Sequence, residues 1–226
     1  VSEKRLKQNY QRIFEAFRKN YNGNVVVAYA VKANYTLALV RVFANIGSWA
    51  ETFTGPELHI ALLAGFKPER IVLTGHNRVE EDFGDALEAG VNLIVVDSVS
   101  ELKRLQNASA MLGVEARVLI RINPAMSIPT LPMIATGVRG TKFGIDVPSG
   151  MAFRAFEEAL GMDWIRVVGI HTHIGSQILT IEPFIESAKR MVDFVEELNS
   201  KLGFKPEYLD FGGGFGIPYK PEDYEK

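Results

Sequence analysis

The sequence predicts an α/β fold, a (β/α)8 barrel of the TIM type in which parallel strands alternate with helices. Short β-branched or apolar runs recur along the 226 residues with helical segments between them, the alternation of a parallel sheet with crossover helices. A doubly wound open sheet also alternates, but it concentrates functional residues at one switch point. Here nearly every run ends in a residue capable of chemistry, as barrel strands do at their carboxyl ends; these residues are Lys32, Glu51, Asn77, Asp97, Arg121, His173 and Asp210.

The chain is expected to begin with an amphipathic helix, whose apolar residues at helical spacing are Leu6, Tyr10, Ile13, Phe14 and Phe17. The seven expected strands are Val25–Val31, Ser48–Phe53, Ile71–Thr74, Leu93–Val96, Ala116–Ile122, Val167–Ile170 and Tyr208–Phe211. The other expected helices are Glu57–Ala64, Glu80–Glu88, Ser98–Gln106, Phe153–Leu160 and Pro183–Leu198. Residues suited to helix C-caps are Gly65, Gly90, Asn107, Gly161 and Gly203.

One barrel domain is expected over residues 1–226. A complete barrel has eight strands and roughly 250 residues, so its eighth strand is expected outside this stretch. The segment from Asn123 to Gly150 is rich in proline and glycine. Long irregular segments of this kind commonly carry function, so this one is expected to be a functional loop.

Composition excludes several classes of protein. Lysine and arginine number 25 and aspartate and glutamate 27, a net charge of −2, so nucleic acid and anionic membranes are not expected partners. There are 0 cysteines, which excludes disulfides, thiolate metal sites and a cysteine nucleophile within these residues. No apolar run approaches about 18 residues, and the first residues do not form a signal peptide. A soluble, cytoplasmic domain is therefore expected.

Lys32 follows an apolar run in the stretch Ala28-Tyr-Ala-Val-Lys32-Ala-Asn34. A lysine held against apolar walls can act as a Schiff-base nucleophile. The simpler alternative is a lysine that reaches solvent from the end of a strand.

A second motif is the run Gly212-Gly213-Gly214-Phe215-Gly216. Successive glycines let backbone amides approach an anion, usually a phosphate. The run is no dinucleotide fingerprint, because Ile217 stands where the third glycine would be needed. It follows the seventh predicted strand, where barrels commonly bind phosphate. A glycine-rich turn is the alternative.

Two histidines, His171 and His173, are expected on one face of a strand. They could bind a metal, or one imidazole could lie flat on an aromatic cofactor. His59 and His76 are the other histidines, and no acidic cluster is obvious beside the pair. No metal site is therefore predicted.

Charged residues at the other predicted strand ends have structural and functional interpretations. Glu51 stands at a strand end and Glu57 at a helix start, where Glu57 complements the helix dipole or, near a Schiff-base lysine, tunes proton transfer. Arg121 ends an apolar strand and is either an ion-pair partner or an anion ligand, because a buried unpaired charge is costly. Asp97 is expected to serve the start of the helix with the capping box Ser98-x-x-Glu101. One cofactor would fit the predicted barrel together with a reactive lysine, a glycine run that binds phosphate and a histidine that stacks on an aromatic ring. That cofactor is pyridoxal 5′-phosphate (PLP).

Motifs along almost the whole chain resemble the diaminopimelate decarboxylases, a family of the fold-type III PLP-dependent decarboxylases. The matching stretches are Tyr29-Ala-Val-Lys32-Ala-Asn34, Gly55-Pro-Glu57-Leu58, Asn92-Leu-Ile-Val-Val-Asp97-Ser98, Arg121-Ile-Asn123-Pro124, Thr136-Gly137, Lys142-Phe-Gly144-Ile145, His171-Thr-His173-Ile-Gly175-Ser176-Gln177 and Gly212-Gly-Gly214-Phe-Gly216-Ile-Pro218-Tyr219. The resemblance implies the alanine racemase-like barrel and decarboxylation of meso-2,6-diaminopimelate to L-lysine, the last step of lysine biosynthesis.

The resemblance also implies roles for individual residues. Lys32 is expected to carry PLP as the internal aldimine, and His173 to stack on the pyridine ring. Ser176 and the glycines are expected to bind the phosphate. Glu57 is expected near the Schiff base, and Arg121 and Glu51 near the cofactor. Family members also carry a further strand and a C-terminal β-domain outside these residues, and a homodimer with shared active sites is expected.

Two positions depart from the family pattern. Glu51 stands where the family usually has aspartate, and its extra methylene pushes the carboxylate further into the site. Leu131 replaces a histidine that is common before the Thr136-Gly137 loop.

Other functions stay open at the level of sequence. A related PLP decarboxylase would act on ornithine, arginine, carboxynorspermidine or a carrier-bound amino acid. A metal-dependent barrel hydrolase would use His171 and His173. A PLP-free relative would be a binding protein, against which the intact lysine motif and glycine run argue.

Overall fold

A computed structural model describes residues 1–126, 136–137 and 143–221 of the chain. The residues divide into two compact units, Val1–Ile94 and Val95–Lys226. The boundary between the units falls inside one strand, β4, which spans Leu93–Val96.

The first unit alternates helices and parallel strands. Its elements in chain order are α1 (Glu3–Asn20), β1 (Ala28–Ala30), a 3-10 turn (Val31–Ala33), α2 (Leu37–Asn45), β2 (Trp49–Thr52), α3 (Gly55–Ala64), a second 3-10 turn (Pro68–Arg70), β3 (Ile71–Leu73), α4 (Glu80–Glu88) and the start of β4. The strands β1, β2, β3 and β4 are neighbours in that order, and every pair is parallel. The register places Ala30 beside Glu51 and Glu51 beside Val72.

The second unit continues the same alternation. After β4 come α5 (Val99–Leu112), β5 (Ala116–Asn123), β6 (Ile145–Asp146), α6 (Met151–Leu160), β7 (Ile165–His171), α7 (Glu182–Leu202) and β8 (Tyr208–Asp210). β5 pairs with β7, β7 pairs with β8, and the short β6 joins β5, all in parallel. Gly169 lets β7 and β8 approach closely, because a Cβ there would overlap the carbonyl oxygen of Tyr208.

Apolar side chains fill both units. The strands of the first unit bury Ala50, Ile71 and Leu73. In the second unit the fully buried Phe156 packs its ring edge-on against Phe194, with a centroid separation of 5.8 Å. Burial of this kind supplies the main favourable free energy of folding. Among the described residues, no helix has both the length and the apolar character needed to cross a membrane.

The predicted alternation is confirmed, and three details of it are wrong. Helix α2 was not predicted, because its sequence is apolar except for Arg41 and Asn45, which lie on its exposed side. Strand β6 was also missed, since two residues give no periodicity. Asn107 was expected to end a helix, but α5 continues to Leu112 and ends at Gly113, whose φ of 66° is left-handed.

Candidate active site

Lys32 lies in the 3-10 turn that directly follows β1. Val31 beside it is completely buried, and Tyr29 closes the turn by donating its hydroxyl hydrogen bond to the carbonyl oxygen of Asn34 at 2.9 Å. The ring of Tyr29 stacks on Phe43 with a centroid separation of 3.9 Å. Burial raises the pKa of the Tyr29 hydroxyl. The turn is therefore anchored on both sides of Lys32.

The amine of Lys32 contacts a carboxylate on the neighbouring strand. Its Nζ donates to Oε1 of Glu51 at 3.1 Å, and the same oxygen accepts from Oγ1 of Thr74 at 2.7 Å. The Lys32 side chain is 44% exposed and that of Glu51 23%. Glu51, expected near the cofactor, thus lies beside the predicted nucleophile.

An aromatic ring lies under the same amine. The Nζ of Lys32 is 5.4 Å from the centroid of the Phe53 ring, which packs edge-to-face with His76 at 5.4 Å. Oε2 of Glu57 accepts from the backbone N–H of Phe53 at 2.7 Å. Thr54 caps α3 through the N–H of Glu57 at 3.4 Å. The structure thus gives Glu57 its structural role at a helix start, and its expected role near a Schiff base stays a prediction.

In the second unit, His173 lies beyond the end of β7, which stops at His171. The pairing of β7 with β8 continues by one step, because the N–H of Thr172 donates to the oxygen of Asp210 at 2.9 Å, and the prediction that both histidines share one face stays a prediction. Nδ1 of His173 accepts from the N–H of Gly213 at 3.3 Å. A bond at one ring nitrogen leaves the other to carry the proton of a neutral imidazole. The backbone oxygen of His173 accepts from Oγ1 of Thr136 at 2.6 Å.

The glycine run packs tightly against the segment after β7. Gly212 and Gly214 have left-handed φ angles of 66° and 98°. A Cβ at Gly212 would lie 2.5 Å from the oxygen of Thr172, whereas a Cβ at Gly213 would meet no heavy atom within 4 Å. Of the three consecutive glycines, Gly212 and Gly214 are thus close-packed and Gly213 is open.

Two amides of the run already have acceptors inside the protein. The N–H of Gly212 donates to Oδ1 of Asp210 at 2.8 Å, and that of Gly213 donates to His173. Ser176, in the segment that packs against Gly214, is exposed. In the second unit, the open space beside Gly213 and the hydroxyl of Ser176 suit a small anion such as a phosphate. In the first unit, the Lys32 amine suits an aldehyde. Each group by itself thus suits one part of PLP, and the assignment of PLP to these residues stays a prediction.

Arg121 forms a buried ion pair. Its Nη1 donates to both carboxylate oxygens of Asp97, at 3.3 and 3.4 Å, and the two side chains are only 8% and 5% exposed. Its guanidinium lies over the ring of Phe143 at 5.1 Å, and Nη2 reaches the oxygen of His173 at 3.5 Å. Of the two interpretations of Arg121, the structure shows the ion pair.

Asp97 was expected to serve the start of α5, and for its side chain this is wrong. The hydroxyl of Ser98 caps the helix by accepting from the N–H of Glu101 at 3.2 Å. Glu101 in turn accepts from the backbone N–H of Asp97 at 2.9 Å. The carboxylate of Asp97 is thereby available to Arg121.

Asn77 and Leu131 are two further positions that the sequence singled out. Asn77 adopts a left-handed backbone with a φ of 64° in the turn before α4. Leu131 lies outside the described residues. In the described part of the chain no group of three or more histidine, cysteine or acidic side chains could hold a metal ion.

Sequence reasoning missed Thr74 and Tyr29, which both organise the surroundings of Lys32. Thr74 was visible as a polar residue at the end of an apolar run, and the same criterion selected Glu51. Tyr29 lies inside the motif around Lys32, but only the fold shows that its hydroxyl closes the turn.

Comparison with known proteins identifies the family. Residues 7–226 match the family model described as "Pyridoxal-dependent decarboxylase, pyridoxal binding domain". The chain belongs to this family of pyridoxal-dependent decarboxylases. The expected cofactor, PLP, is therefore confirmed at the level of the family.

Among relatives in this decarboxylase family, a diaminopimelate decarboxylase from Methanocaldococcus jannaschii is 42% identical over 222 residues, 97% of this chain and 50% of that protein. A diaminopimelate decarboxylase from Aquifex aeolicus is 42% identical over 212 residues, 94% of this chain and 50% of that protein. The chain spans about half the length of the curated relatives it matches.

Solved structures of the family confirm the fold class. The crystal structure of the Methanocaldococcus jannaschii enzyme in co-complex with L-lysine matches with a TM-score of 0.90 and 41% identity, and the match covers 98% of this chain and 52% of that one. A point mutant of the diaminopimelate decarboxylase from Helicobacter pylori, complexed with L-lysine, matches with a TM-score of 0.91 and 33% identity, covering 97% and 54%. The predicted alanine racemase-like barrel class is thus confirmed for the part of the fold that the chain spans.

Proposed function

We propose that the protein containing this chain decarboxylates meso-2,6-diaminopimelate to L-lysine with PLP as its cofactor. The observation that carries the proposal is 42% identity to a diaminopimelate decarboxylase over 97% of the chain. The L-lysine in the co-complexes of two related enzymes is the expected product. Lys32, the residue that would hold the cofactor, lies in a well-anchored turn with a carboxylate at its amine.

When bound, PLP supplies an electron sink for the electron pair left behind as the substrate carboxylate departs. The side chains of each unit have separate tasks. Lys32 would hold the cofactor covalently through Nζ, and Oε1 of Glu51, 3.1 Å from that amine, would accept a proton from it. The ring of Phe53, with its centroid 5.4 Å from the amine, is close enough for a cation–π contact.

In the second unit, Gly213 fixes the orientation of the His173 imidazole through the bond at Nδ1. Arg121 and Thr136 hold the backbone of His173 from the other side. An imidazole fixed in this way is suited to lie on the face of an aromatic ring, and the open space beside Gly213 would admit a phosphate next to the hydroxyl of Ser176. That one PLP engages both Lys32 and His173 stays a prediction.

The test is to load the full-length protein with PLP, reduce it with borohydride and map the pyridoxyl adduct by mass spectrometry. We expect the adduct on Lys32, its loss in Lys32→Ala, and no change in Lys189→Ala, a matched variant at an exposed lysine on α7. No adduct in folded wild-type protein would refute the proposal.

Substrate identity needs a second assay on the same protein. Release of carbon dioxide from meso-2,6-diaminopimelate is compared with release from ornithine, arginine, carboxynorspermidine and a carrier-bound amino acid. We expect turnover of diaminopimelate alone, with L-lysine as product. Preferential turnover of another of these amines would be consistent with the proposed cofactor chemistry but would refute diaminopimelate as the substrate.

The expected homodimer and the cytoplasmic location stay predictions. Light scattering of the full-length protein measures the first, and cell fractionation the second. A shared active site further predicts that two inactive variants, each defective in a different half of the site, regain activity when mixed.

A further inference from the structure

Thr74 is buried beside the predicted nucleophile Lys32. Its hydroxyl bonds Glu51, the carboxylate that Lys32 contacts. It follows β3 directly, and its backbone N–H donates to the oxygen of Thr52 at 2.8 Å, which extends the pairing of β2 and β3 by one step. Since Glu51 pairs with Val72, Thr74 lies two residues further along on the same face of the sheet. Its side chain therefore meets that of Glu51.

The hydroxyl of Thr74 has two acceptors within reach but only one proton to donate. Oε1 of Glu51 is 2.7 Å away and the backbone oxygen of Thr52 3.5 Å. A carboxylate is a stronger hydrogen-bond acceptor than a backbone carbonyl. Hydrogen bonds from a hydroxyl to an ionised oxygen are also shorter than those to a neutral oxygen. The proton is thus directed to Glu51.

Thr74 and Lys32, which both donate to Oε1 of Glu51, differ in mobility. Thr74 is only 4% exposed and has a short side chain that is stiff at χ1. Lys32 is 44% exposed and has four rotatable side-chain bonds. Of the two donors, Thr74 is the one able to fix the carboxylate in place.

We propose that Thr74 is a positioning residue, which holds Oε1 of Glu51 where it accepts a proton from Nζ of Lys32. This inference rests on the proposed function, in which Lys32 condenses with the aldehyde of PLP. An ammonium group has no lone pair to donate, so Nζ must first lose one proton, and Oε1, 3.1 Å away, is placed to accept it. The nitrogen lone pair then bonds to the aldehyde carbon, and the aldehyde oxygen leaves as water with the two remaining amine protons.

The experiment measures how fast PLP attaches to Lys32 in the full-length apoprotein. Samples are quenched with borohydride at successive times, and the Lys32 adduct is quantified by mass spectrometry, alongside equilibrium affinity for PLP and thermal stability. The variants are Thr74→Val, Thr74→Ala, Thr74→Ser and Glu51→Gln. Thr52→Val is the matched control, because Thr52 is an equally buried neighbour whose hydroxyl donates to the oxygen of Val72 at 3.4 Å.

A positioned proton acceptor contributes about 10²-fold or more to rate, so Glu51→Gln is expected to slow attachment by about 10²-fold. Thr74→Val and Thr74→Ala leave the Glu51 carboxylate in the protein but remove the hydrogen bond that positions it. We expect PLP attachment to slow by about tenfold at unchanged PLP affinity. Thr74→Ser restores the hydroxyl and is expected to remain within about twofold of wild type, as is Thr52→Val.

Three results would overturn this inference. The first is attachment at the wild-type rate in both Thr74→Val and Thr74→Ala. The second is equal slowing in Thr52→Val, which would indicate a general disturbance of the sheet. The third is failure of Thr74→Ser to restore the rate. A wild-type protein that forms no adduct on Lys32 would instead refute the proposed function, so the two failures are distinguishable.

Discussion

Replacement of Gly214 by alanine is expected to destabilise the glycine-rich loop. The φ of Gly214 is 98°, and an L-residue in the left-handed region costs roughly 1–2 kcal/mol. The new Cβ would overlap the carbonyl oxygen of Gly175 and lie 2.9 Å from its carbonyl carbon. Retreat of the loop strains the hydrogen bond from the N–H of Ile178 to the oxygen of Gly214, which is 3.0 Å long, and the loss of such a bond costs about 1 kcal/mol.

These contributions predict that Gly214→Ala lowers the free energy of unfolding by about 2–3 kcal/mol. Urea-induced unfolding measures the loss, and Gly213→Ala is the matched control for stability, since no heavy atom lies within 4 Å of its Cβ. The control is expected to change the free energy by less than about 1 kcal/mol. Equal stability of the two variants would refute the reasoning from close packing, and so would a Gly214→Ala protein as stable as wild type.

Two further predictions concern buried groups. Asp97→Ala leaves Arg121 buried without its carboxylate and is expected to lower the free energy of unfolding by about 3–5 kcal/mol, measured by urea-induced unfolding; a loss below about 1 kcal/mol would contradict the importance of the pair. Burial raises the pKa of Tyr29 above its ordinary value of 10.0, so the folded protein holds the hydroxyl proton more tightly than the unfolded chain. Its stabilisation is therefore complete below about pH 10 and is lost as pH rises through the folded-state pKa. Thermal unfolding should show a smaller alkaline loss in Tyr29→Phe, and an identical loss in both proteins would exclude Tyr29 as the cause.

Much of the fold was predictable because its signals are local. Each apolar run that ends at a charged or glycine-rich segment could be assigned to a strand, and the capping box at Ser98 located the start of α5. Helix α2 was not predicted because Arg41 and Asn45 are its only polar residues, and two polar residues in a short apolar run give a weak helical period. Strand β6 is two residues long and is defined only by its pairing with β5.

The sequence by itself determined the type of chemistry in this protein. PLP was indicated by a lysine after an apolar run, a glycine run after a late strand and a histidine between them. This was possible because the type of each reactive group is known from the residue itself. Which group contacts which was decided by the tertiary structure. The ion pair of Asp97 with Arg121 and the two donors on Glu51 join residues from different strands, and sequence spacing carries no information on side chains brought together by parallel pairing.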